Sequence, residues 1–133
     1  LHIIRQWGNI DGKIIVDATN AIRVKPDGYA TAFAAIKDRA QTDKVVKCFN
    51  STGFENMLQP VYPGGGIDMF CAGNNQEAKQ VVQQLCTDIG FANCYDFGGD
   101  DKVELLEQFA LSWINLAIMQ GHGRNIAFQL VRR

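Results

Sequence analysis

Apolar positions along the chain recur with two different periods, and the switches between them mark the elements. Asp11-Gly12 is a turn signal, after which Lys13 to Ala18 forms a β-branched run of the kind buried on both faces of a sheet. Pro26-Asp27-Gly28 breaks the chain, and Tyr29, Ala30, Phe33, Ala34, Ile36 and Lys37 then set a helical period. Lys44 to Asn50 predicts a second strand, with Val45, Val46, Cys48 and Phe49 apolar on both sides of the pleat. Ser51 to Gly66 is a long irregular segment containing Pro60, Pro63 and a run of glycines, and Ile67 to Ala72 is the third strand.

Asn74-Asn75-Gln76-Glu77 resembles a capping box, and Ala78, Val81, Val82, Leu85, Cys86 and Ile89 follow at helical spacing until Gly90 ends it. Ala92 to Phe97 predicts a fourth strand, which could run antiparallel. Asp100 and Asp101 offer a second cap, Val103 to Gln120 a long helix ended by Gly121, and Asn125 to Arg133 a last short helix. At the other end Leu1, Ile3, Ile4 and Trp7 have the spacing of an amphipathic helix already under way. Strands alternating with helices at such short intervals indicate βαβ crossovers and one α/β domain over residues 1–133, built on a mainly parallel sheet with flanking helices.

The 133 residues are enough for a single core. Thirteen basic against fourteen acidic residues give a net charge of -1, which leaves no electrostatic footprint for nucleic acid or an anionic membrane. The apolar runs fall well short of the roughly 20 residues that spanning a bilayer requires. Cys48, Cys71, Cys86 and Cys94 show no C-x-x-C pair, and no histidine stands at ligand spacing. They read as small apolar residues carrying free thiols, which suits a reducing cytoplasm, and no metal site is expected. The long helix is apolar on more than one face, so it is either buried on several sides or a subunit interface anchored by Trp113 or Phe109.

In an open parallel sheet, ligands bind beyond the carboxyl ends of the strands. Two such ends are polar here: Thr19-Asn20 and Asn50-Ser51-Thr52. These residues either meet a ligand or cap the turns that follow. Lys47, inside an apolar strand, either reaches a phosphate or snorkels to the sheet edge. No serine, cysteine and histidine constellation for nucleophilic catalysis is visible, and no catalytic acid or base stands out.

The segment Val45-Val46-Lys47-Cys48-Phe49-Asn50-Ser51-Thr52-Gly53-Phe54-Glu55-Asn56-Met57 resembles the signature of the deazaflavin (coenzyme F-420)-dependent NADP oxidoreductase family. Gly12 to Asn20, Pro63 to Phe70, and Leu105 to Arg133 with Trp113, Gly121, Gly123, Arg124 and Ala127 fit the same family in the same order. The resemblance implies the second half of a Rossmann-like fold. It also implies that Ala18, Thr19 and Asn20 lie against the nicotinamide of NADP, with Asn50, Ser51 and Thr52 beside the deazaflavin or flavin that exchanges hydride with it. The family pattern has proline after Thr-Asn where this chain has Ala21.

The family's cofactor half opens with a strand, a glycine-rich turn and a helix that holds the pyrophosphate. The nearest string here, Gly121-His122-Gly123-Arg124-Asn125-Ile126, follows a helix and lacks the third glycine, so it reads as a turn between helices. The chain therefore reads as the carboxyl-terminal part of such an enzyme, without the glycine-rich half, which would occupy on the order of 60 residues upstream. The alternative is an assembly domain that keeps the fold without binding the dinucleotide. Either way a homodimer is expected, through the long helix or a sheet edge left uncovered.

Overall fold

The computed structural model describes residues 2–20 and 25–133. In chain order the elements are a 3-10 turn His2–Gln6, β1 (Ile15–Asp17), α1 (Ala32–Ala40), β2 (Val45–Lys47) and α2 (Phe54–Leu58). A small hairpin of β3 (Val61–Tyr62) and β4 (Gly65–Gly66) follows, then β5 (Asp68–Cys71), α3 (Gln76–Ile89), β6 (Asn93–Asp96) and α4 (Val103–Ile114). A 3-10 turn, Asp100–Lys102, leads into α4, and a π-helical turn, Asn115–Met119, leads out of it. Ala21 lies outside the described residues.

β1 pairs in parallel with β2, and β5 in parallel with β6. The two pairs meet at one antiparallel bridge, where Lys47 and Ala72 exchange both backbone hydrogen bonds at 2.9 and 3.0 Å. The sheet is thus mainly parallel, as the alternation predicts. The change of direction falls between β2 and β5, and the last strand is parallel to its neighbour. The physical reason is the Ser51–Gly66 segment: instead of a crossover helix that returns the chain to the same end, it forms one short helix and a tight hairpin. The next strand then starts where β2 finished.

Side-chain alternation sorts the core into two layers. Val46, Cys48, Met69 and Cys71 point to one face and pack on Ala78, Val82 and Cys86 of α3. Val45, Phe70 and Ala72 point to the other and pack on Phe33 of α1 and on Val103 and Leu106 of α4. Each fully buried side chain of this size contributes about 1.5–3 kcal/mol. The α1/α4 layer is aromatic: Phe70 meets Phe109 edge-on with centroids 5.0 Å apart, and Phe109 stacks on Phe128 at 4.4 Å. Phe109 and buried Trp113 are both turned inward, so neither is free to anchor an interface.

Local chemistry fixes the helix ends. Thr31 caps α1 by accepting from the Ala34 N–H at 3.1 Å, and Asn75 caps α3 by accepting from Ala78 at 2.9 Å. Gly90, at φ 116°, closes α3 as the left-handed residue that lets its N–H reach the last carbonyls. Two expectations fail at the C-terminal side. Asp100 does not cap α4; it accepts from the Asn74 N–H at 2.8 Å and pairs with Lys37. Residues 125–133 form no helix but an extended strap, because their backbone groups find partners elsewhere. Asp68 N–H donates to the Phe128 carbonyl at 3.1 Å, Leu130 N–H donates to the Asp68 carboxylate at 2.7 Å, and the Trp113 indole donates to the Ile126 carbonyl at 2.7 Å. Gly121-His122-Gly123 ends the helical run with the His122 and Gly123 N–H groups on the Leu116 and Ala117 carbonyls.

Candidate functional site

The carboxyl ends of β1 and β2 lie side by side and carry the polar residues that follow these strands. Under them sits a buried ion cluster. The Lys47 ammonium donates to Asp17 at 3.1 Å, to Glu107 of α4 at 2.9 Å and to the Thr19 carbonyl. Neither expectation for Lys47 holds: its side chain is wholly buried, and its three donors are committed to these partners. Asp17 in turn accepts from the Thr19 N–H at 2.9 Å and hydroxyl at 2.7 Å, an Asx-type turn that sets the direction of Thr19 and Asn20 as they leave the strand. The cluster ties β1, β2 and α4 into one floor.

On that floor Phe49 adopts φ 62°, a left-handed conformation that costs a bulky residue about 1–3 kcal/mol. Phe49 is held there by packing on the α3 layer, and the kink redirects Asn50. The Asn50 amide N–H₂ donates to the Leu106 carbonyl at 3.1 Å and to Asn20 Oδ1 at 3.3 Å, while Asn20 donates to the Asn50 carbonyl at 3.2 Å. These bonds fix the amide orientation, since flipping it would set its oxygen against two acceptors. Among the described residues Asn50 Oδ1 is buried with no hydrogen-bond partner. A buried polar atom left this way costs about 1–3 kcal/mol. A cavity of about 140 Å³ opens beside Asn20, lined among others by Lys25, Glu104, Glu107 and Gln108.

The six candidate residues therefore divide. Ala18 and Thr19 are exposed, and half-buried Asn20 meets Asn50. Ser51 and Thr52 are buried and turned the other way: the Ser51 hydroxyl lies 3.5 Å from the Met69 sulfur, and Thr52 donates to the Ile126 carbonyl at 3.3 Å. Thr52 belongs to a clasp on the strap. Asn56 donates to Thr52 at 2.9 Å and to the Arg124 and Ile126 carbonyls at 2.9 and 3.1 Å, and its oxygen accepts from the Tyr62 hydroxyl. Beneath it Gly53 leaves room for the clasp: a Cβ there would lie 3.1 Å from the Trp113 ring and would displace the ends of the Glu55 and Arg124 side chains. The Arg124 guanidinium grips Glu55 with two bonds of 2.6 and 3.0 Å and lies over Trp113 at 5.4 Å. That hydrogen bonding lowers the Glu55 carboxyl below its ordinary range and raises Arg124, while burial raises the Tyr62 phenol.

Sequence spacing gave no hint of a second assembly on the α3 side, where the cysteines converge. Hydrogen bonds from Cys48 and Cys94 lower the Cys86 thiol to about 5, whereas burial pushes Cys48 well above its ordinary value. Cys71 is raised as well, first through its hydrogen bond with Cys94 and then through burial.

The architecture is that of the second half of a Rossmann-like α/β fold with a long carboxyl-terminal helix. It is similar to a crystal structure from Arthrobacter sp. FB24 described as a "putative" coenzyme F-420-dependent NADP-reductase, with TM-score 0.77 and 26% identity, covering 92% of this chain and 60% of that one. It is also similar to a hypothetical protein from Sinorhizobium meliloti, with TM-score 0.65 and 25% identity, covering 99% of this chain and 61% of that one. The chain thus spans about 60% of the length of these solved structures. No family model and no curated protein matches the sequence. The likeness bears out the resemblance to the deazaflavin-dependent NADP oxidoreductase family for the part of the fold this chain covers, and at a coarse level it is of an oxidoreductase-like kind. Among the described residues no helix is long and apolar enough to cross a membrane.

Proposed function

We propose that this chain is the carboxyl-terminal part of an NADP-dependent oxidoreductase that passes hydride between NADP and a deazaflavin or flavin. The observation that carries the reading is the buried Asn50 Oδ1 at the strained end of β2, which has no partner among the described residues. An acceptor fixed in place with no donor suits a ligand that brings an amide N–H, and both the nicotinamide carboxamide and the deazaflavin ring have one. Asn50 would accept from that group, the second N–H of Asn20 and the Thr19 hydroxyl would orient its neighbours, and Ala18 would leave room for a ring. Ser51 and Thr52 would act on this site by fixing the turn and the strap rather than by direct contact. Bound NADP supplies a hydride donor or acceptor, and such transfer asks of the protein two rings held together away from water, not an acid or a base.

The pyrophosphate would be held by a glycine-rich half upstream of Leu1, for which the solved structures, spanned to only 60% and 61% of their length by this chain, leave room. The test is NADPH oxidation by a polypeptide extended upstream to the length of those structures, with deazaflavin and flavin acceptors in turn. Turnover with either acceptor supports the reading. Neither NADP binding nor turnover with any of them sinks it.

A second reading, an assembly domain without dinucleotide binding, draws on the apolar residues that α4 and its π-helical turn leave in solvent: Leu105, Leu111, Leu116, Ile118 and Met119. It predicts a homodimer of these 133 residues that NADP does not disturb. A concentration-independent monomer in sedimentation removes it.

A further inference from the structure

The four cysteines of the chain come from four different places, the residue after β2 (Cys48), β5 (Cys71), α3 (Cys86) and β6 (Cys94), and they meet in one layer. The sulfurs of Cys48, Cys86 and Cys94 all lie within 4.8 Å of one another, and those of Cys48 and Cys86 are 3.8 Å apart. Cys71 packs in the same buried layer. No disulfide joins any of them.

We propose that Cys48, Cys86 and Cys94 bind one thiophilic cation of the Zn²⁺ type, with the fourth position left to a water or another small ligand. Two thiolates bound at about 2.3 Å to one tetrahedral ion stand roughly 3.8 Å apart, the separation that Cys48 and Cys86 already have. The third sulfur needs to close by no more than about 1 Å, within the reach of a side-chain rotation on otherwise rigid elements. An all-sulfur donor set selects soft ions and excludes Mg²⁺, Ca²⁺ and Mn²⁺. A disulfide would use two of these groups and leave the convergence of the others unaccounted for. Cys48, Cys71 and Cys86 are fully buried, whereas Cys94 is half-buried and gives the ion its way in. On binding, each ligating thiol releases its proton to solvent as its sulfur lone pair forms the bond to the metal, with no change of oxidation state. The site lies on the α3 face, across the sheet from the Lys47 cluster, so it stands independently of the oxidoreductase reading.

The experiment is an anaerobic titration of the reduced 133-residue chain with Co²⁺. The expected result is one equivalent bound, with a thiolate-to-cobalt charge-transfer band in the near ultraviolet and the intense visible bands of a tetrahedral site, both erased by Zn²⁺. Cys94→Ser and Cys86→Ser should each weaken binding by more than the roughly 10–100-fold that loss of an outer partner costs. Where a variant does not fold, the titration of the unmodified chain decides alone. Absence of these bands with all four thiols reduced overturns the proposal, as do bands that survive both substitutions in folded variants. A chain that loses two hydrogens in mass to form a Cys48–Cys86 bond and then binds no metal on re-reduction also overturns it.

Discussion

The two parallel strand pairs end in opposite ways. Beyond β5 and β6 the polar groups find partners among themselves. Asn74 and Asp100 exchange backbone-to-side-chain bonds of 2.8 and 2.9 Å, Gly73 donates to the Gly98 carbonyl at 3.0 Å, and Lys79 binds Asp96 at 2.8 and 3.0 Å. Beyond β1 and β2 stand a buried cluster with more carboxylate than ammonium, a left-handed Phe49 and an Asn50 oxygen without a partner among the described residues. Both ends share the same residue vocabulary of asparagine, aspartate and a buried lysine. The difference lies in whether the donors and acceptors close among themselves. Where they close, the polar residues stabilise a turn; where one is left over, the strain persists because the surrounding packing enforces it, and that contrast is the ground for the proposed binding end.

The largest expected effect comes from breaking the open end's floor. Lys47→Met removes the cation that faces both Asp17 and Glu107 and should destabilise the chain by about 3–5 kcal/mol, read as a shift in the urea midpoint. Lys79→Met at the closed end should cost less, about 1–3 kcal/mol, because its partner Asp96 is itself exposed to water. Equal losses at the two lysines would mean that the ends do not differ as described.

Asn50→Ala separates stability from binding. It forfeits the bonds to Leu106 and Asn20 but also removes the unsatisfied oxygen, so thermal denaturation should show a loss of only about 1 kcal/mol. NADP affinity of the upstream-extended protein should nevertheless fall at least about tenfold, some 1.4 kcal/mol. Asn74→Ala, the counterpart at the closed end, should cost about 1 kcal/mol and leave NADP affinity unchanged in the same assays.

The smallest effect concerns the strap. Because Arg124 lowers the Glu55 carboxyl from its ordinary 4.5, the pair's contribution is complete above that pH and is lost as pH falls through the depressed value. The stability difference between the parent chain and Glu55→Gln should be constant from neutral pH down to that value and shrink below it. A difference that grows in acid would mean that the ion pair does not hold the strap.

Much of this contrast could be read in the sequence and some could not. α3 was legible because its cap, its apolar spacing and Gly90 agree, although the cap sits on Asn75 and leaves Asn74 free to clasp Asp100. β2 was legible from its double-sided apolar run, and so was the polarity of its end. The parallel pairing was legible from the strand–helix alternation, but the place of the one antiparallel junction was not, since a period of two is the same for parallel and antiparallel neighbours. Ile126, Ala127, Phe128 and Leu130 suit a short helix or an extended strap equally; Trp113 and Asp68, distant in sequence, decide for the strap. From the sequence Lys47 reads as reaching a phosphate or the sheet edge, because its partner Glu107 stands sixty positions away and no local pattern links them. The cysteines were invisible as a group for the same reason, because spacing rules detect ligands on one loop or helix and these come together only through the sheet.

The most direct measurement is an ¹⁵N-edited NMR titration of the upstream-extended protein with NADP. Shifts are expected at the Asn50 and Asn20 side-chain amides and the Thr19 backbone, with Asn74, Gly98 and Asp100 unmoved. Binding that leaves the Asn50 amide unchanged, or that moves the β5–β6 end instead, would contradict the assignment of the β1–β2 end as the binding end.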